Sequence, residues 1–93
     1  MTSRSVPVVN QLGMHARAAA KFVHLAARFQ SHITVARESR EMDGKSIMGL
    51  LLLAAARGSM VTIRADGVDE QEAIDALSDL VASDLLRGEK STA

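Results

Sequence analysis

The spacing of apolar residues in this chain switches repeatedly between every second position and every third or fourth. That switching narrows the fold more than any other feature, because period two lays one face of a strand on a core and period 3.6 lays one stripe of a helix on it. Val6 to Val9 is short and β-branched, and Pro7 suits an edge strand, where a missing N–H does little harm. Asn10 to Gly13 reads as a loop. From Ala16 to about Phe29, the residues Ala19, Phe22, Val23, Ala26 and Phe29 recur at helical spacing, with Arg17, Lys21, His24 and Arg28 on the opposite side. Ile33 and Val35 alternate with polar neighbours in a second strand, Glu38 and Ser39 turn the chain, and Arg40 to Met42 forms a weak third strand. Ser46 is a good N-cap for a helix over Ile47 to Arg57, with Gly58 as its C′ residue. Val61, Ile63 and Ala65 alternate with Thr62 and Arg64 in a fourth strand. Asp69 and Glu72 then resemble a capping box ahead of a third amphipathic helix carrying Ala73, Ile74, Leu77, Leu80 and Val81.

The order is β-α-β-β-α-β-α. One-faced strands and one-striped helices imply an α+β, two-layer sandwich, an antiparallel sheet with its helices on one side. With 93 residues there is material for a single core, expected over 1–87, followed by a polar, frayed tail over 88–93.

Charge and composition exclude several functions. Eleven Lys and Arg balance eleven Asp and Glu, so the surface as a whole is no magnet for nucleic acid or membrane. The balance is uneven along the chain: Met1 to Arg40 carries six basic residues against Glu38 alone, a net +5, and the remainder carries −5. That asymmetry points to one anion-attracting face. Without cysteine there is no disulfide, thiolate nucleophile or Cys-built metal site. His24 and His32 lack the i, i+4 spacing with His15 that places two ligands on one helix face, so no metal is expected. The chain has neither Trp nor Tyr, and both Phe fall on the first helix, so no strand carries an aromatic platform for RNA bases. The apolar run Ile47 to Ala56 is shorter than the roughly 20 residues a bilayer requires, and no signal-peptide pattern opens the sequence, so no membrane insertion and a cytoplasmic location are expected.

The chemistry concentrates at His15 and Arg17, where a loop becomes a helix. Free N–H groups and the positive dipole end favour a bound anion there and oppose an imidazolium, so His15 is expected neutral and nucleophilic. A phosphoryl group on its ring would meet the backbone N–H groups of Ala16 and Arg17 and the Arg17 guanidinium. An imidazole at a helix start is also an ordinary polar residue, so spacing alone leaves both readings open.

Three blocks, LGMHARAAA from Leu12 to Ala20, GKSIMGL from Gly44 to Leu50, and VTIRADGVDEQEA from Val61 to Ala73, together resemble the histidine-containing phosphocarrier (HPr) family of the phosphoenolpyruvate-dependent phosphotransferase system. The resemblance covers about residues 4–85. It implies a four-stranded antiparallel sheet in the order 1-4-2-3 under three helices, and a phosphoryl carrier rather than an enzyme. Enzyme I would place a phosphoryl group on Nδ1 of His15, Arg17 would hold its oxygens, and a histidine on a IIA domain would receive it. It further implies a possible phosphoserine at Ser46, made by an HPr kinase/phosphorylase, and docking of partners by Ile47, Met48, Leu51 and Leu52. It implies no cofactor, no nucleic acid and a monomer. Two features depart from the family pattern: Ala18 stands where proline is typical, and Glu38-Ser39 replaces an Asn-Gly hairpin turn. A regulatory relative, of the nitrogen branch or acting by contact, is the alternative the resemblance leaves open.

Overall fold

The computed structural model describes residues 1–7, 16–52 and 60–92, with side chains described except at Ala16, Leu52 and 83–92. Its elements are β1 (Thr2–Pro7), α1 (Ala16–Ala26), β2 (His32–Arg37), β3 (Arg40–Asp43), α2 (Ile47–Leu52), β4 (Met60–Asp66) and α3 (Glu70–Thr92). The strands form one sheet in the order β1-β4-β2-β3, antiparallel at every pairing. Both the order and the element sequence agree with the sequence reading.

The period-two pattern of β4 sets the core. Val61, Ile63 and Ala65 are buried, whereas the alternate residues Met60, Arg64 and Asp66 are exposed. Val35 pairs with Ile63 and Ile33 with Ala65, so the inward residues of β2 and β4 lie side by side. Onto this face α1 lays Ala19, Phe22 and Ala26, α2 lays Leu50, and α3 lays Ala73, Ile74, Leu77 and Val81, all in one buried cluster with Val6. Truncating one of its large members to alanine costs about 2 to 5 kcal/mol. The opposite face of the sheet is polar: the Ser5 and Thr62 hydroxyls share a hydrogen bond (2.9 Å), and Arg64 donates to Glu41 (2.9 Å). Ser78 is buried in α3 and its hydroxyl finds no protein partner.

The boundaries of β1, α1 and β3 differ from those expected. β1 begins at Thr2 rather than Val6, because Thr2 to Pro7 pairs residue for residue with Ala65 to Met60; Pro7 does lie on an edge strand, as expected. Val8 and Val9 lie outside the described residues. α1 ends at Ala26 instead of Phe29, in a tighter turn where Arg28 and Phe29 donate to the carbonyls of Leu25 and Ala26. α2 is described to Leu52, so the expected stop at Arg57 and Gly58 lies outside the described residues. β3 runs one residue further than expected, to Asp43. Between β2 and β3 the two-residue loop Glu38-Ser39 puts Glu38 at φ 55°, a left-handed position that glycine occupies at no steric penalty.

The expected Asp69–Glu72 capping box is not what starts α3. Glu70 instead reaches back to accept from the Gly67 N–H (3.1 Å), and the Glu70 N–H donates to the Gly67 carbonyl (3.3 Å). Asp69 turns away from the helix to the end of the α1–β2 connection. Its Oδ2 accepts from the Gln30 N–H (2.9 Å), and its Oδ1 from the N–H (3.0 Å) and hydroxyl of buried Ser31. A Cβ on Gly67 would lie 2.6 Å from the Ser31 Cα, so the two segments approach this closely only because residue 67 is glycine.

The Ser31 hydroxyl, and then the Gln30 N–H, hold the Asp69 carboxyl below its ordinary value of 3.8. A depressed carboxyl contributes stability that is complete above the unfolded-chain value and is lost as pH falls through the folded value. We therefore expect Asp69→Asn to lower the melting temperature at pH 7. Its deficit against wild type should shrink as pH falls below about 4, as read by calorimetry across pH. A deficit constant with pH would refute the role given to this carboxylate.

Candidate functional site

The buried stripe of Ala19, Phe22 and Ala26 fixes the rotation of α1 and turns Arg17, Lys21 and His24 outward, with Arg28 continuing the line past the helix end. All four are exposed. No acidic residue occupies the first turn of α1, so the positive end of the helix dipole and the Arg17 guanidinium act in the same sense there. His15 lies outside the described residues, and Ala16 opens the helix whose N–H groups would face an anion.

The second part of the site is α2. The Ser46 hydroxyl accepts from the Gly49 N–H (3.1 Å) and the Ser46 carbonyl accepts from the Leu50 N–H (3.1 Å), which makes Ser46 the N-cap the sequence suggested. Leu50 points inward and is fully buried; Leu51 packs half-buried against the core. Ile47 and Met48 face solvent, 40% and 66% exposed. Thus the predicted docking residues divide: Ile47 and Met48 form an apolar surface, Leu51 supports it, and the Leu52 side chain lies outside the described residues.

A lysine that the sequence reading passed over joins the two parts. Lys45 Nζ donates to the Phe29 carbonyl (2.8 Å), just beyond α1, and so ties the start of α2 to the end of α1. Arg17 sits in the other end of α1, about 14 Å of helix axis from Ala26 at 1.5 Å per residue. Nothing in the sequence around Lys45 signals this contact, which depends on the folded path of residues 27–30.

Among the described residues, no group of three or more His, Asp or Glu side chains is disposed to hold a metal. No described helix is long and apolar enough to cross a membrane.

The described residues thus place an outward basic helix start and an exposed apolar pair, Ile47 and Met48, on the helical side of an open-faced sandwich. Comparison with known proteins specifies the class. The family profile described as "PTS HPr component phosphorylation site" matches residues 2–83. The phosphocarrier protein HPr of Cupriavidus necator is 49% identical over 89 residues, 96% of this chain and 100% of that protein. HPr-C-His from Thermoanaerobacter tengcongensis superposes with a TM-score of 0.87 at 41% identity, covering 91% of this chain and 96% of that one. Bacillus subtilis Crh, a catabolite-repression protein seen as a domain-swapped dimer, superposes at 0.71 with 42% identity, covering 87% and 93%. The chain belongs to the HPr family, the phosphocarrier proteins of the phosphotransferase system. It is a carrier and not itself a catalyst.

Ala18 lies half-buried in the first turn of α1, where a proline ring forfeits no intrahelical hydrogen bond and pre-sets φ. Ala18→Pro is expected to fold unchanged and to gain about 0.4 to 1 kcal/mol in denaturant unfolding, through a less flexible unfolded chain. A loss of stability would show that the Ala18 N–H is already used.

Proposed function

We propose that His15 carries the phosphoryl group on Nδ1, receiving it from Enzyme I and giving it to a histidine of a IIA domain. Arg17 supports the reading most directly: it stands exposed in a carboxylate-free first turn, two residues after His15, in a chain of the phosphocarrier family. A neutral imidazole nitrogen attacks phosphorus while the bond from phosphorus to the donor breaks, and the guanidinium with the first N–H groups of α1, those of Ala16 and Arg17, receives the charged oxygens. Such a dock neutralises the group only in part, as a carrier that must also release it requires. Ile47, Met48 and Leu51, with Leu52 beside them, seat both partners in turn. The protein works as a cytoplasmic monomer.

Incubation with Enzyme I and labelled phosphoenolpyruvate tests this. Wild type should take up acid-labile, base-stable label and His15→Ala none. Arg17→Ala should keep the wild-type circular dichroism and accept label roughly tenfold to hundredfold more slowly, the effect of losing a charged hydrogen-bond partner. Absence of label with the Enzyme I of the same organism would favour the second reading, a regulator acting by contact. The chain is also 44% identical over 77 residues to the HPr-like protein Crh of Halalkalibacterium halodurans.

Ser46 fits a regulatory phosphorylation by an HPr kinase/phosphorylase in either reading. A phosphate there sits at the start of α2, which tolerates negative charge, and beside Ile47 and Met48, which any partner must desolvate. Ser46→Asp should therefore leave stability within about 0.5 kcal/mol and raise the KM for Enzyme I. Wild-type KM in this variant, together with no phosphoserine in cells on any carbon source, would remove Ser46 from the mechanism.

A further inference from the structure

We infer that Met48 is a reversible oxidation switch on the docking surface, an inference that rests on the docking role proposed above for α2. The chain has no Cys, Trp or Tyr, so its thioethers are its most easily oxidised side chains. Met42 is half-buried beneath α2 and packs against the core. Met48 is two-thirds exposed and sits between the capping Ser46 and the buried Leu50, whereas Met60, 54% exposed, lies on the opposite face of the sheet. Of the described docking residues Ile47, Met48 and Leu51, only Met48 can be oxidised under mild conditions.

The oxidant is a peroxide. The sulfur lone pair attacks one peroxide oxygen, the O–O bond breaks, and an S–O bond forms. Sulfur gives up two electrons, and the departing hydroxide takes the remaining peroxide proton to leave as water. A dithiol reductant returns the two electrons, and the sulfoxide oxygen departs as a second water. The sulfoxide adds a strong acceptor to a surface that a partner must strip of water, so docking weakens. The Met48 side chain stands outside the core and α2 is held by the Ser46 cap and Leu50, so the fold does not change.

The full-length protein is treated with hydrogen peroxide, mapped by peptide mass spectrometry, and assayed for phosphoryl acceptance from Enzyme I alongside untreated Met48→Gln. Sulfoxide should form at Met48 before Met42, the KM for Enzyme I should rise about fivefold to tenfold, and the melting temperature should hold. Reduction by a methionine sulfoxide reductase with dithiothreitol should restore the KM. Treated Met48→Leu should keep its own untreated KM, and treated Met60→Leu should lose affinity as wild type does. If Met48→Gln leaves the KM at wild type, the docking role fails and the switch with it. If Met48→Gln raises the KM but peroxide leaves Met48 unmodified, or modifies it without effect on KM, docking stands and the switch is overturned.

Discussion

The register of β4 is the constraint on which the rest of the molecule depends. This strand is paired on both sides, by β1 and β2, and its inward residues Val61, Ile63 and Ala65 are the floor on which α3 lies and belong to the one buried cluster that α1 and α2 complete. A slip of one residue would turn Thr62 and Arg64 into the core, so the alternation leaves no second solution. The cluster fixes the rotation of α1 through Ala19, Phe22 and Ala26, and that rotation puts Arg17 in water. The face proposed to carry the phosphoryl group is therefore oriented by apolar residues that lie beneath it.

Polar contacts do a different task, joining ends that the core leaves loose. Asp69 binds the Gln30–Ser31 segment, Lys45 binds the carbonyl of Phe29, and Arg4 reaches across to Asp75 (2.8 Å). Two of the three fall on the connection between α1 and β2, which emerges from α1 with its last turn tightened. The connection thus keeps a definite path, and α2 keeps its place against α1. An exposed pair such as Arg4–Asp75 adds little, whereas several N–H groups converging on one carboxylate hold backbone that would otherwise be solvated.

What the sequence made legible was whatever periodicity or a local cap encodes. The element order, the inward faces of β2 and β4, the basic face of α1 and the Ser46 cap were all readable, because each depends on residues within one or two turns of one another. Asp69 was misread for the opposite reason: its partners lie 38 and 39 residues away, and a carboxylate before a helix reads as a cap when its neighbours in space are unknown. The end of α1 was overrun because Phe29 keeps helical spacing after the helix has tightened. At the site, the exposure of Arg17 followed from periodicity, and the division of the α2 patch into inward Leu50 and outward Met48 did not, since apolar residues occupy nearly every position there. His15 drew its meaning from a helix start beside Arg17 and from the family pattern around it.

The open face of the sheet has a practical consequence. Its Ser5–Thr62 and Arg64–Glu41 contacts are made among its own side chains, on the side away from Arg17 and Met48. A fluorophore or a surface anchor attached at Thr62 would ride on the outer side of the sheet, away from the helical layer and its proposed docking residues. The tumbling of that probe would then report each change of partner, so a shuttle cycle becomes observable as a series of changes in rotational speed.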